Sequence, residues 1–231
     1  MIKKFYIIMG TCDVSDERRF SVKLLLLLSE GMVVTIQIFL LTLLFALPLG
    51  LIVSFGRRSK NFIIKGLTGI YISIMRGTPL ILQLVAVYFG PYYLFGGKID
   101  RFAAAIIAFS LNYAAYFAEI YRGGIESIPK GQYEAGEVLG FTKAHVFFKI
   151  ILPQVIKRIL PAISNEVITL VKDTALVYTI GVAEMFRAAS NEASRLSQIQ
   201  PLFVAGVFYF IMNLMVAQAF KFAENKLNYY K

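Results

Sequence analysis

Val33–Phe55 reads VVTIQIFLLTLLFALPLGLIVSF and holds no charged residue. About 20 apolar residues in a helix cross a hydrocarbon core ~30 Å thick, because each residue rises ~1.5 Å. Every backbone amide must be satisfied internally there, which selects a helix over an open strand. A soluble core of this length has no need of so long an unbroken run. The segment is therefore expected to span a membrane, over Gly31–Phe55. It stops at Gly56-Arg57-Arg58-Ser59-Lys60, a basic flank that reads as cytoplasmic.

The rest of the chain repeats this pattern in both directions. Downstream, Phe62–Phe95 is apolar but interrupted by Arg76-Gly77-Thr78-Pro79. Proline lacks an N–H and clashes with the preceding turn, so a break or kink is expected there. After the turn Gly96-Gly97-Lys98-Ile99-Asp100-Arg101, a third span covers Phe102–Tyr121. A long polar-to-amphipathic stretch follows, Arg122–Pro161, with Arg122, Lys130, Lys143, Lys149, Lys157 and Arg158. A fourth candidate, Ala162–Phe186, is apolar but carries charges. A fifth, Pro201–Phe222, leads into a basic tail ending at Lys231. Upstream, Lys3 and Lys4 precede the short run Phe5–Gly10, which Cys12-Asp13 breaks. That run is too short for a secretory h-region, so residues 1–28 are read as a retained, mostly polar N-terminal segment.

Composition agrees. Apolar residues make up 58% of the 231, against ~45–50% in soluble domains, and the mean hydropathy is +0.66. The formal charge of +10, from 24 Lys and Arg against 14 Asp and Glu, would suggest nucleic acid in a soluble protein. Here the cations cluster between apolar runs, as the positive-inside bias predicts. With one cysteine, Cys12, no disulfide forms within the chain. The expected fold is an all-α, polytopic membrane bundle of about five spans. Residues 29–231 form one membrane domain with its cytoplasmic loop at 122–161, a topology that puts the N-terminus outside and the C-terminus inside. Basic residues in the N-terminal segment resist that orientation, although Asp13, Asp16 and Glu17 offset some of them.

The loop is the most informative segment. In Glu134-Ala135-Gly136-Glu137-Val138-Leu139-Gly140-Phe141, residues Ala135, Val138, Leu139 and Thr142 recur at i, i+3, i+4, i+7, giving one modest apolar face. Gly140 permits a sharp stop. A second helix follows, with an apolar stripe of Phe147, Ile150 and Ile151, and Pro153 is expected to kink or end it. A short helix with one docking face suits a groove on a partner protein, or it lies on the lipid surface.

Glu134-Ala135 with Gly140 six residues after the glutamate, then Ile151-Leu152-Pro153 and Pro161, resembles the "EAA" loop of binding-protein-dependent ABC importer permeases. Arg76-Gly77-Thr78-Pro79-Leu80 with Gln83, Asn112 to Arg122, and Lys172-Asp173-Thr174-Ala175-Leu176 resemble the polar amino-acid subfamily. The resemblance implies a type I ABC importer permease fold. It also implies that the loop helix couples to a cytoplasmic ATPase subunit, with Glu134, Ala135, Leu139 and Gly140 carrying that role. Implied partners are two ATPase subunits, an extracytoplasmic substrate-binding protein and a second permease chain in the cytoplasmic membrane of a prokaryote. Gly136 departs from the alanine usual in the family, weakening the short helix by ~1 kcal/mol.

Charge at bilayer depth costs at least ~2.5 kcal/mol and is retained where it faces protein or water. In the fourth span Asn165, Glu166, Thr169, Lys172 and Asp173 share adjoining faces, opposite Val167, Leu170, Val171 and Val177. A zwitterion offers a carboxylate to Lys172 and an ammonium to Asp173, each as a charge-assisted hydrogen bond. The two residues point ~100° apart and are not expected to pair with each other. The alternative is structural pairing with a neighbouring helix. Asn112, Tyr116 and Glu119 fall at i, i+4, i+7; Asn112 is expected to face substrate, and Glu119 to pair with Arg122 or gate. Around the break, Thr78, Leu82 and Gln83 are expected to line the substrate path. Pro79 and Glu166 take structural or gating roles, and Arg76 snorkels to the cytoplasmic surface.

No GxxxxGK[ST] loop is present, so ATP is expected to be bound by a partner subunit. No His/Cys cluster suggests a metal, and the only histidine, His145, lies in the loop, so no enzyme is expected. Ion-gradient-driven transport or a channel remains the alternative, with Lys172, Asp173 and Glu119 as coupling groups; a membrane anchor without transport is another.

Overall fold

The computed structural model describes residues 14–227, and side chains from residue 22 onward. The Lys3–Gly10 run, Cys12 and the end of the basic tail lie outside the described residues. Every regular element among the described residues is helical. The chain runs α1 (Val14–Arg57), α2 (Phe62–Gly77), α3 (Leu80–Phe95), α4 (Arg101–Glu126), α5 (Lys130–Val138) and α6 (Lys143–His145). A π-helical turn (Val146–Ile151) leads into α7 (Leu152–Asp173). A 3₁₀ stretch (Thr174–Ile180), α8 (Met185–Leu196) and α9 (Gln200–Leu227) complete it.

Among the described residues, three helices are long and apolar enough to cross a membrane: Val22–Arg57, α4 and α9. Helix α1 continues without interruption through the boundary drawn at residue 28, since Leu24–Leu28 are apolar and helical. Elements α2 and α3 form a bent pair, turned by 110° at Thr78-Pro79. Thr78 is extended, at φ −122° and ψ 148°, as the residue before a proline is driven to be.

The expected fourth span, Ala162–Phe186, is corrected by the structure. Helix α7 starts earlier, at Leu152, stops at Asp173, and gives way to a 3₁₀ stretch closed by Gly181 at φ +80°. The reason lies in its composition: 22 residues would suffice in length, but Glu166, Lys172 and Asp173 deny it an apolar circumference. Pro153 neither ends nor starts a separate helix. It sits in the first turn of α7, where the missing N–H costs little, and the preceding π turn carries the chain into it.

The core forms around α4. Its small face, Ala104, Ala105, Ala108, Ala114, Ala115 and Ala118, is fully buried. Small residues let helices approach closely where apolar burial gains nothing from lipid. A Cβ on Gly50 of α1 would stand 2.8 Å from Phe117 Cβ, so this crossing has no room for one. Phe109, Tyr113 and Phe117 fill the centre against Leu84, Leu170 and Val171. A second cluster, Ile125, Ile128, Val146, Ile151, Val155 and Ile159, roots the loop.

Candidate functional site

Breaking a helix orphans the carbonyls of its last turn. At the α2–α3 elbow the orphans are met by side chains. Thr78 Oγ1 donates to Ile74 O at 2.8 Å. Gln83 Nε2 donates to Met75 O at 2.9 Å and to Thr78 Oγ1 at 2.8 Å. From α4, Asn112 Nδ2 donates to Met75 O and to Gln83 Oε1, both at 3.0 Å. Three residues selected from the sequence, Thr78, Gln83 and Asn112, are thus brought together, with their amide donors engaged by the elbow itself. Leu82 is 60% exposed and Pro79 is exposed, and neither side chain joins these bonds.

Across α4, Tyr113 OH donates to Asp173 Oδ2 at 2.7 Å. Tyr113 is buried and Asp173 half-buried. Lys172 is exposed and makes no ion pair among the described residues, neither with Asp173 nor elsewhere. Asn165 and Thr169 are exposed on the same helix, and Glu166 is half-buried. The polar edge of α7 is therefore open along its length.

Seven residues beyond Asn112 along α4, ~10 Å at helical rise, Glu119 meets Arg122 at 2.6 Å, and Arg122 meets Glu126 at 2.5 Å. Arg76 is exposed, and its guanidinium lies over the Tyr116 ring, 5.2 Å from the centroid. A cation is attracted to an aromatic face, and the 110° bend carries α2's end onto α4.

Beyond this end of α4 stands the loop helix α5. Phe141 N–H donates to Gly136 O across Gly140, whose φ of +77° favours glycine. Gly136 is buried on Val146; a Cβ there would lie 2.4 Å from Val146 Cγ2. The missing methyl is thus what lets α5 pack on the π turn. The outer face is bare: Glu134 and Ala135 are exposed, Val138 is 88% exposed and Leu139 70%. A reciprocal amide pair, Gln132 to Gln154 at 3.0 and 2.6 Å, ties α5 to α7. Arg158 adds a bond to Ser127 O.

Three contacts were missed in reading the sequence. The Tyr113–Asp173 bond joins residues 60 apart. The Gln132–Gln154 pair joins residues 22 apart. Buried Glu184 accepts from Phe186 and Arg187 N–H at 2.6 and 2.7 Å and from Tyr209 OH at 3.0 Å. It caps α8 and pins it to α9. Only the Glu184 cap, an acidic residue just before a helix, has a pattern a sequence could offer.

The sequence model of the family described as binding-protein-dependent transport system inner membrane component matches residues 46–229. The arginine transport system permease protein ArtQ of Bacillus subtilis (strain 168) is 41% identical over 199 residues, 86% of this chain and 91% of that protein. The L-cystine transport system permease protein TcyB of the same organism is 38% identical over 206 residues, 88% of each. A putative glutamine transport system permease protein GlnP of Rickettsia bellii (strain RML369-C) is 36% identical, covering 90% of this chain and 96% of that one. Among solved structures, a chain of an amino acid ABC transporter with histidines superposes with TM-score 0.82 at 33% identity, over 94% of this chain and 99% of that one.

Proposed function

We propose that this chain, which belongs to the family of binding-protein-dependent transport system inner membrane components, carries polar amino acids inward along the open edge of α7. It is the permease subunit of an ATP-driven ABC importer. It is a transport subunit and not an enzyme; ATP is hydrolysed by a partner subunit. Its family works with an ATPase and a binding protein.

The observation that carries the substrate reading is the pairing of one open cation with one held acid. Lys172 is exposed with no ion pair among the described residues, while Tyr113 fixes Asp173 at the adjoining position. A zwitterion presents a carboxylate to the first and an ammonium or cationic side chain to the second. Thr78, Leu82, Gln83 and Asn112 shape the same path from the elbow. Asn112 Oδ1 is the amide acceptor that the elbow network leaves for a ligand. Pro79 sets the bend, Glu166 holds the edge, and Glu119 with Arg122 forms the inner constriction.

The edge of α7 is open because a second permease chain covers it. A charged helix face at membrane depth is retained only against protein or water, and a single chain gives it neither. Glu134, Ala135, Leu139 and Gly140 form the coupling surface for the ATPase. Closure of the ATPase pair on ATP moves α5, and the Gln132–Gln154 amides carry the motion to α7. Arg57, Arg58, Lys60 and the loop lie on the cytoplasmic side. α7 lacks an apolar circumference of its own and crosses against the second chain, so that with α1, the bent pair, α4 and α9 it makes five crossings, with the N-terminus outside and the C-terminus inside.

The test is uptake of radiolabelled L-glutamine, L-arginine and L-cystine into proteoliposomes that hold the permease with its ATPase subunits, with binding protein outside. ATP inside the vesicles drives uptake, and an imposed proton or sodium gradient without ATP does not. Uptake on the gradient alone establishes the ion-coupled alternative instead.

A further inference from the structure

At the end of α4 far from the loop, two arginines from different elements reach one carbonyl. Arg101 Nη1 lies 3.3 Å from Gly181 O, and Arg187 Nη1 bonds the same oxygen. A Cβ on Gly181 would stand 3.0 Å from Arg187 Nη1 and 3.1 Å from Arg101 Nη1. Gly181 sits at φ +80°, which both favours glycine and leaves the space between the two cations free of a side chain.

One carbonyl does not account for this arrangement. It satisfies one N–H of each guanidinium, and Tyr88 OH takes Arg101 Nε at 3.2 Å. Most of the five donors on each arginine remain. Neither arginine forms an ion pair among the described residues. The neighbouring acid, Asp100, is engaged in capping Ala103 N–H at 3.0 Å. Two like charges brought together repel unless an anion joins them, and paired guanidiniums match the fork of a carboxylate. Lys98 adds a third cation in the adjoining pocket, with Tyr88 and Tyr92 among its walls.

We propose that Arg101 and Arg187, converging at Gly181, form an outer station for the α-carboxylate of the incoming amino acid. This rests on the amino-acid importer reading above. Position supports it. Tyr113, the partner of Asp173, lies twelve residues along α4 from Arg101, ~18 Å deeper at helical rise. The 3₁₀ stretch connects the two places directly, from Thr174 to Gly181. A carboxylate released at the mouth is held by the arginines before it reaches Lys172. The α-carboxylate is common to every amino acid, so this station attracts substrate without choosing among side chains.

The test uses the whole importer in proteoliposomes. Cys12→Ser removes the native thiol, and Ala183→Cys places a new one at an exposed position two residues from Gly181. Alkylation is timed with an anionic and a cationic methanethiosulfonate. The anionic reagent reacts faster, and Arg101→Gln with Arg187→Gln lowers the anionic-to-cationic rate ratio at least fivefold. L-glutamine at millimolar concentration slows the anionic reagent in the parent and not in the double variant. L-glutamine amide, which lacks the α-carboxylate, does not protect. An unchanged ratio, or equal protection by the acid and its amide, overturns the proposal. Protection by the binding protein without substrate, lost in the double variant, would instead make the arginines a dock for acidic groups on that protein and also overturns it. ATP-driven uptake by the parent importer is measured in parallel. If that uptake is absent for every amino acid tried, the importer reading fails independently of the arginines.

Discussion

The elbow between α2 and α3 and the loop helix α5 are both short interruptions bearing polar residues, yet they are finished in opposite ways. At the elbow the orphaned carbonyls Ile74 O and Met75 O and the side chains of Thr78, Gln83 and Asn112 satisfy one another within the chain. At the loop the inner side is equally complete, with Gly136 seated on Val146 and Gln132 paired to Gln154, but Val138 and Leu139 are bare. Closure marks where the bundle holds itself together. Exposed apolar surface on an otherwise anchored helix marks where another protein belongs.

The contrast can be broken by substitution. The largest effect is expected at the bare face. Leu139→Asp places a charge where an apolar contact is needed, and ATP-driven uptake should fall ~100-fold or more, about the loss of one interface hot spot. Membrane insertion and thermal unfolding of the isolated permease stay unchanged. A parallel loss of folding would show that Leu139 serves the fold and not a partner.

At the elbow the order reverses. Asn112→Ala strands Met75 O and Gln83 Oε1 with one donor fewer, a cost of ~1–3 kcal/mol. Unfolding in detergent should shift down by several degrees even without partners. An unaltered midpoint would mean that the elbow network contributes nothing to stability. Asp173→Asn keeps an acceptor for Tyr113 OH and removes the charge. Uptake of L-arginine should fall at least ~10-fold more than that of L-glutamine, ~1.4 kcal/mol of discrimination; equal losses would remove Asp173 from substrate selection. The smallest change concerns Gly136. Gly136→Ala gains ~1 kcal/mol of helix propensity but places a methyl against Val146. Alone it lowers stability slightly, and with Val146→Ala it raises it. Stabilisation by Gly136→Ala alone would show that the π turn yields easily.

The sequence made the membrane class legible, because a charge-free run such as Val33–Phe55 has one common explanation. The break at Thr78-Pro79 was legible from proline chemistry, and the loop helix from Glu134-Ala135 and Gly140. The length of the fourth span was not. A hydropathy run does not reveal that Glu166, Lys172 and Asp173 limit it, or that the helix ends at Asp173 and continues as 3₁₀. Residue types in the polar set were readable, but their meeting was not: Thr78 comes from the elbow, Gln83 from α3 and Asn112 from α4, and the 110° bend brings them together. The contact of Arg76 with Tyr116, 40 residues away in sequence, was hidden for the same reason. The resemblance did not account for Gly136 either, whose reason is a contact with Val146.

The bare face of α5 is the seat of an ATPase subunit in the proposed importer. Its most direct test is co-purification of the permease with its ATPase, wild type against Glu134→Lys, both solubilised in the same mild detergent. The expected result is a stoichiometric complex for the wild type and loss of the ATPase from a variant whose own unfolding profile is unchanged. Equal retention by both, or binding by neither, would contradict it.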